Sequence, residues 1–95
     1  MRLHWTADAV RDRVAIYDYV EARSPQAAIR LDTLFSQKAA DLSCHPVIGR
    51  VGRVPGTREL VAHRNYILVY ELTDNGIYIL RLLHTARQWP PRRER

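Results

Sequence analysis

Cysteine is almost missing from this chain. Cys44 stands alone, so no internal disulfide can staple the fold. No apolar run approaches the roughly 18 residues that a membrane-spanning helix needs, and Met1-Arg2-Leu3-His4-Trp5 lacks the apolar stretch and cleavage site of a signal peptide. These absences lead to the expectation of a cytoplasmic protein with no membrane partner. Lysine is equally scarce: of 15 basic residues only Lys38 is not arginine. Arginine's planar fork suits bidentate contacts to phosphate or carboxylate better than an ammonium does.

Metal-site spacing is also missing. Cys44 and His45 are adjacent, while His4, His63 and His84 are scattered, with no HExxH or CxxC pattern. No P-loop, GxGxxG or GxSxG occurs, and Gly49-Arg50-Val51-Gly52 lacks the Lys-Ser/Thr of a phosphate cradle. Neither a metal nor a cofactor is expected, and nucleotide-dependent enzymes are disfavoured. The chain, 95 residues long, has room for one small core. One domain is expected over 1–89, followed by a basic tail over 90–95 that has little to bury.

What the chain does have is an uneven charge. The net charge is +5, with six basic and six acidic residues in 1–43 but nine basic against four acidic in 44–95. The excess therefore lies wholly in the C-terminal half, which points to a polyanion or an acidic partner, with solubility as the plainer alternative.

The hydrophobic pattern places the elements. Leu3 and Trp5 alternate with polar neighbours as in a short strand, and Thr6 is a helix N-cap with Asp8 in the first turn. Val10, Val14, Tyr17 and Val20 follow at helical steps to about Ala22, predicting one apolar stripe. Ser24-Pro25 restarts a helix whose apolar face is Ala28, Leu31, Phe35, Ala39 and Leu42, so the two helices should form an antiparallel hairpin. A turn-rich basic loop then leads to Leu60-Val61-Ala62, Tyr66 to Tyr70, and Ile77 to Leu80, with Asn75-Gly76 as a hairpin signal. The expected fold is α+β, a helical hairpin on a four-stranded, mainly antiparallel sheet in the order β-α-α-β-β-β.

Candidate chemistry lies on the sheet half, in Arg50, Arg53, Arg58, His63, Arg64, Arg81, His84 and Arg87. Cleavage of RNA through its 2′-hydroxyl requires a base, cations for the crowded phosphorane and an acid for the leaving oxygen. His84 suits either proton-transfer role, and a single histidine at a strand end suits a structural one as well. Tyr66, Tyr70 and Tyr78 have the spacing of sheet packing rather than of base stacking.

The order of several phrases resembles toxins of the RelE/ParE superfamily. They are the early Trp5, Ile16-Tyr17-Asp18-Tyr19-Val20, the Ser-Pro restart, His45-Pro46 before Gly49-Arg50, Gly56-Thr57-Arg58-Glu59-Leu60-Val61, Tyr66-Ile67-Leu68-Val69-Tyr70-Glu71, and Ile79-Leu80-Arg81-Leu82-Leu83-His84 followed by Ala86-Arg87-Gln88-Trp89-Pro90. The resemblance spans residues 2–89. It implies the toxin component of a type II toxin-antitoxin module, inhibiting bacterial growth and neutralised by a cognate antitoxin. Operator DNA would be met only through that antitoxin.

The superfamily divides between ribosome-dependent mRNA endonucleases and inhibitors of DNA gyrase. Arg58, His84 and Arg87 match positions of the nucleases, where Arg58 and Arg87 would stabilise phosphate and His84 would transfer a proton. Ile67 stands where those enzymes carry an arginine after the aromatic residue, and their terminal tyrosine is lacking. The long hairpin and the Arg58-Glu59-Leu60 and Leu83-His84 phrases read more like ParE. The balance tips slightly toward gyrase, with Arg50, Arg53, Arg58, Arg81, His84 and Arg87 near the target surface; the alternative is RelE-like mRNA cleavage on the ribosome. Whether the chain is an enzyme, and its oligomeric state, stay open at this level.

Overall fold

The computed structural model describes residues 1–87, 89 and 90. Beyond Pro90, the expected basic tail lies outside the described residues, as does Gln88. The chain runs β1 (Leu3–Trp5), α1 (Ala7–Glu21), α2 (Pro25–Cys44), β2 (Arg50–Val51), β3 (Arg58–His63), β4 (Tyr66–Thr73) and β5 (Gly76–His84). The α+β class and the helical hairpin are as expected, but the sheet has five strands rather than four, in the spatial order β1-β5-β4-β3-β2. The added strand is β2. Only two residues long, it carries no alternation that a sequence pattern can show, and pairing to β3 defines it. Among the described residues, the parallel pairing of β1 with β5 is the one departure from antiparallel order.

Both helix starts form by the capping chemistry the sequence advertises. Thr6 Oγ1 accepts the Ala9 N–H at 3.3 Å, and Ser24 Oγ accepts the Ala27 N–H at 3.2 Å with Pro25 in the first turn. The helices are antiparallel, since Arg13 on α1 reaches Asp32 and Ser36 on α2. Its guanidinium also lies 4.8 Å from the centre of the Trp5 ring, joining β1 to the hairpin.

The main core lies between the hairpin and one face of the sheet. Phe35, Ala39 and Leu42 of α2 and Ala9 of α1 meet Tyr66, Leu68, Tyr70, Ile77, Ile79 and Leu82. A smaller cluster on the other face joins Ile67, Val69 and Leu83 to Leu80 and Trp89. This double coverage explains why five consecutive residues of β4, Tyr66 to Tyr70, are buried.

The expected stripe on α1 needs correction. Val10 and Val14 are 46% and 53% exposed, whereas Ala9 and Ile16 face the core. Close approach of α1 to β5 explains the choice of a small residue. Past Trp5, β1 no longer pairs with β5, and α1 covers the vacated edge: the Thr6 N–H donates to the Ile79 carbonyl, the Thr6 hydroxyl to that of Leu80, and the Asp12 carboxylate accepts the Leu82 N–H at 3.0 Å. Asp12 also receives Arg81 Nε at 2.7 Å and Nη2 at 3.0 Å. A bulge at Leu80, between the pairs Tyr70/Ile79 and Val69/Arg81, accompanies this turn of Arg81 toward the edge.

Candidate functional site

The described basic residues of the C-terminal half do not form one patch. Arg50, Arg53 and Arg58 gather at the β2–β3 edge, while His63, Arg64, His84 and Arg87 gather at the opposite end of the sheet. Register fixes the separation. Arg58 pairs with Tyr70 and His84 pairs with Tyr66, four steps away along β4, which is about 13 Å at the usual strand rise.

At the first end, Glu59 organises the loop. Its carboxylate is buried, yet it takes Arg50 Nη2 at 3.1 Å, the Arg53 backbone N–H at 3.0 Å and Arg53 Nη2 at 3.3 Å. Burial alone would raise the Glu59 pKa, but the Arg53 amide and the Arg50 and Arg53 guanidiniums outweigh it and hold the group below its ordinary value. Arg58 is half-buried and donates Nη2 to the Val47 carbonyl at 3.2 Å. Tyr70 anchors the start of the loop: its hydroxyl donates to the Pro46 carbonyl at 2.8 Å and accepts the Gly49 N–H at 3.0 Å. Gly49 has no alternative, because a Cβ there would stand 2.6 Å from that hydroxyl and 2.9 Å from the Glu59 carbonyl.

At the other end two imidazoles flank Tyr66. His63 and His84 lie 6.0 and 5.3 Å from its ring, centre to centre. Each histidine accepts a backbone N–H at Nδ1, His63 from Asn65 at 3.1 Å and His84 from Ala86 at 3.0 Å. An Nδ1 that accepts carries no proton, so the neutral rings hold theirs on Nε2. The two turns are tied by the Thr85 N–H to the Asn65 carbonyl, and Arg87 returns its N–H to the His84 carbonyl. Around them open two clefts below the hairpin tip, one of about 370 Å³ lined by Val20, Leu34 and His63, the other of about 480 Å³ lined by Ile16, Tyr19 and His84, with Asn65 and Tyr66 shared.

Of the residues expected at a site, Arg50, Arg53 and Arg58 come together, as do His84 and Arg87, but the two groups stay apart. Arg81 belongs to neither. It is paired with Asp12, which holds its pKa above the ordinary value, and its side chain is 19% exposed. Ile67 is buried with Val69 and Leu83. Tyr66 and Tyr70 are core residues, as their spacing suggested, and Tyr78 stacks on His4 at 4.6 Å. Among the described residues no group of three or more His, Cys, Asp or Glu is placed to hold a metal ion, and no helix is long and apolar enough to cross a membrane.

Residues 3–89 match the family described as the ParE toxin of the type II toxin-antitoxin system parDE. The chain belongs to the ParE toxin family. Among curated proteins, this ParE-family chain is 37% identical over 90 residues to the Sinorhizobium fredii protein Y4kP, a toxin by its given name, covering 94% of this chain and 93% of that one. It is 36% identical over 83 residues to toxin RelE2 of Caulobacter vibrioides, covering 87% and 93%. Among solved structures, a chain of the chromosomal ParDE system from P. aeruginosa superposes with a TM-score of 0.78 at 31% identity, covering 88% of this chain and 95% of that one. The ParE-family chain is thus a type II toxin of the RelE/ParE superfamily, and an antitoxin is its natural partner.

Sequence reasoning missed Glu59 as the counter-ion of the basic loop. The signal was there: a lone carboxylate inside an apolar strand, preceded by three arginines within ten positions.

Proposed function

We propose that this toxin arrests bacterial growth in the cytoplasm by binding DNA gyrase, without cutting RNA. The observation that carries the reading is the separation of Arg58 from the other two candidate catalytic residues, His84 and Arg87. Cleavage at one phosphate needs its cations and its proton-transfer group within a few ångströms of the same atoms. Arg58 stands about 13 Å along β4 from His84 and is turned to the Val47 carbonyl. Ile67 supplies no cation, and the Nδ1 of His84 is engaged by the Ala86 N–H.

A binding toxin needs no such convergence. Arg50, Arg53 and Arg58 at one end, and His84 and Arg87 at the other, suit contacts spread over a large protein target. Arg81 then acts from within, by fixing α1 against β5 through Asp12.

A second reading, ribosome-dependent mRNA cleavage, is favoured by one observation: His84 and Arg87 lie together in an exposed turn, which puts an imidazole and a guanidinium within reach of one phosphate. Pulse-labelling of new DNA and new protein in the first minutes after induction without antitoxin separates the two. The proposal expects DNA synthesis to fall first; an initial collapse of protein synthesis would overturn it in favour of cleavage.

A further inference from the structure

The apolar stripe that the sequence places on α1 has no partner within the chain. Val10 and Val14 are 46% and 53% exposed, and with Tyr17 they line an open groove of about 310 Å³ on the outer side of the hairpin, bordered by Arg13, Asp18 and Asp32. Apolar side chains that line up along one helix face, rather than scattering singly, mark an interaction surface.

The charges on this face have a pattern of their own. At 3.6 residues per turn, Val14 lies on its crest, with Val10 and Tyr17 to one side and Arg11 and Asp18 to the other. Arg11 stands three positions before Val14 and Asp18 four after it, and both are exposed. Arg11 pairs with the equally exposed Asp8, and among the described residues Asp18 forms no ion pair. Such a face is its own complement. A two-fold axis at Val14, pairing α1 antiparallel with its copy, sets Val14 against Val14 and Val10 beside the partner's Tyr17. It also sets Arg11 against the partner's Asp18, a contact that the symmetry makes twice. Parallel pairing would set Arg11 against Arg11 instead. A polyanion or an acidic segment is drawn elsewhere: residues 1–43 carry six basic and six acidic residues, and the positive excess lies on the sheet half.

We infer that the free toxin self-associates through the outer face of α1, as an antiparallel two-fold dimer. Two helices meeting over about three turns bury less than the roughly 1,200 Å² of a stable complex, so the dimer forms at micromolar concentrations and above and comes apart on dilution. The hairpin lies between this face and the sheet, so pairing leaves the basic ends of both sheets open.

Sedimentation of the full chain, purified away from antitoxin, over about 1 µM to 1 mM should show a reversible monomer–dimer equilibrium. Val14→Asp sets two carboxylates together at the axis and should weaken the dimer at least about tenfold. Arg11→Asp and Asp18→Arg should each weaken it by about threefold or more, and the two together should restore it to within about twofold. These two positions lie about 10 Å apart along α1, too far to touch within one copy, so rescue reports a contact between copies. Thermal unfolding checks that the variants fold; if Val14→Asp does not, the unmodified chain and the charge reversals decide. A chain that stays monomeric throughout overturns the inference, and release of the antitoxin by Val14→Asp would then assign the face to that partner. A dimer untouched by Val14→Asp overturns the choice of face, and a double reversal no better than the single ones overturns the antiparallel register.

Discussion

Replacing Tyr70 by Phe should destabilise this small domain well beyond what the loss of one oxygen suggests. The ring is fully buried, and Phe keeps its volume, so no cavity opens. What changes is polar. The Pro46 carbonyl loses its donor at 2.8 Å and the Gly49 N–H loses its acceptor at 3.0 Å. A buried group left without a partner costs about 1–3 kcal/mol, and the Gly49 amide is the more enclosed of the two, so a total of about 2–3 kcal/mol is expected. In a domain of this size each kcal/mol lowers Tm by about 4–8 °C, giving a fall of roughly 8–24 °C. Urea unfolding of the two proteins measures the difference directly. Amide exchange should also quicken at Gly49 and Arg50, because the hydroxyl holds the start of the loop that carries Arg50 and Arg53. A loss below about 0.5 kcal/mol with unchanged exchange would refute the assignment of Tyr70 as the loop's anchor.

Asp12→Ala should cost about 2–4 kcal/mol in urea unfolding, since it strands the half-buried Arg81 and the Leu82 N–H at the edge of β5. The folded-state pKa of Glu59 is depressed, so its contribution is present above the unfolded-state value and is lost as pH falls through the folded one. Unfolding measured between about pH 2 and 7 should therefore show an acid limb that Glu59→Gln flattens, with lower stability than the unmodified protein at neutral pH. His84→Gln should leave growth arrest by the induced toxin within about threefold, because no proton transfer is asked of it; a loss of several orders of magnitude would mean catalysis.

Much of the fold was legible because its signals are local. Thr6, Ser24-Pro25 and Asn75-Gly76 each set an element boundary through contacts within a few residues, and all three act as expected. The misreadings came from contacts distant in sequence. Val10 and Val14 have helical spacing, yet Ala9 faces the core because Asp12, Arg81 and Leu82 draw α1 close to β5. Strand β2 exists through its pairing with Arg58 and Glu59, which no two-residue pattern announces. The candidate site follows the same division. Its residue types could be read from the chain, whereas their separation into two ends depends on the register of β3, β4 and β5, and Arg81's engagement depends on a partner 69 positions away.

The central claim is that this ParE-family toxin acts by holding a protein target and leaves RNA intact. Its most direct test adds the purified toxin, in parallel, to DNA supercoiling by purified gyrase and to ribosomes carrying a defined mRNA. The account predicts dose-dependent inhibition of supercoiling with the mRNA uncut. Cleavage of the mRNA on the ribosome, with supercoiling unaffected, would contradict it.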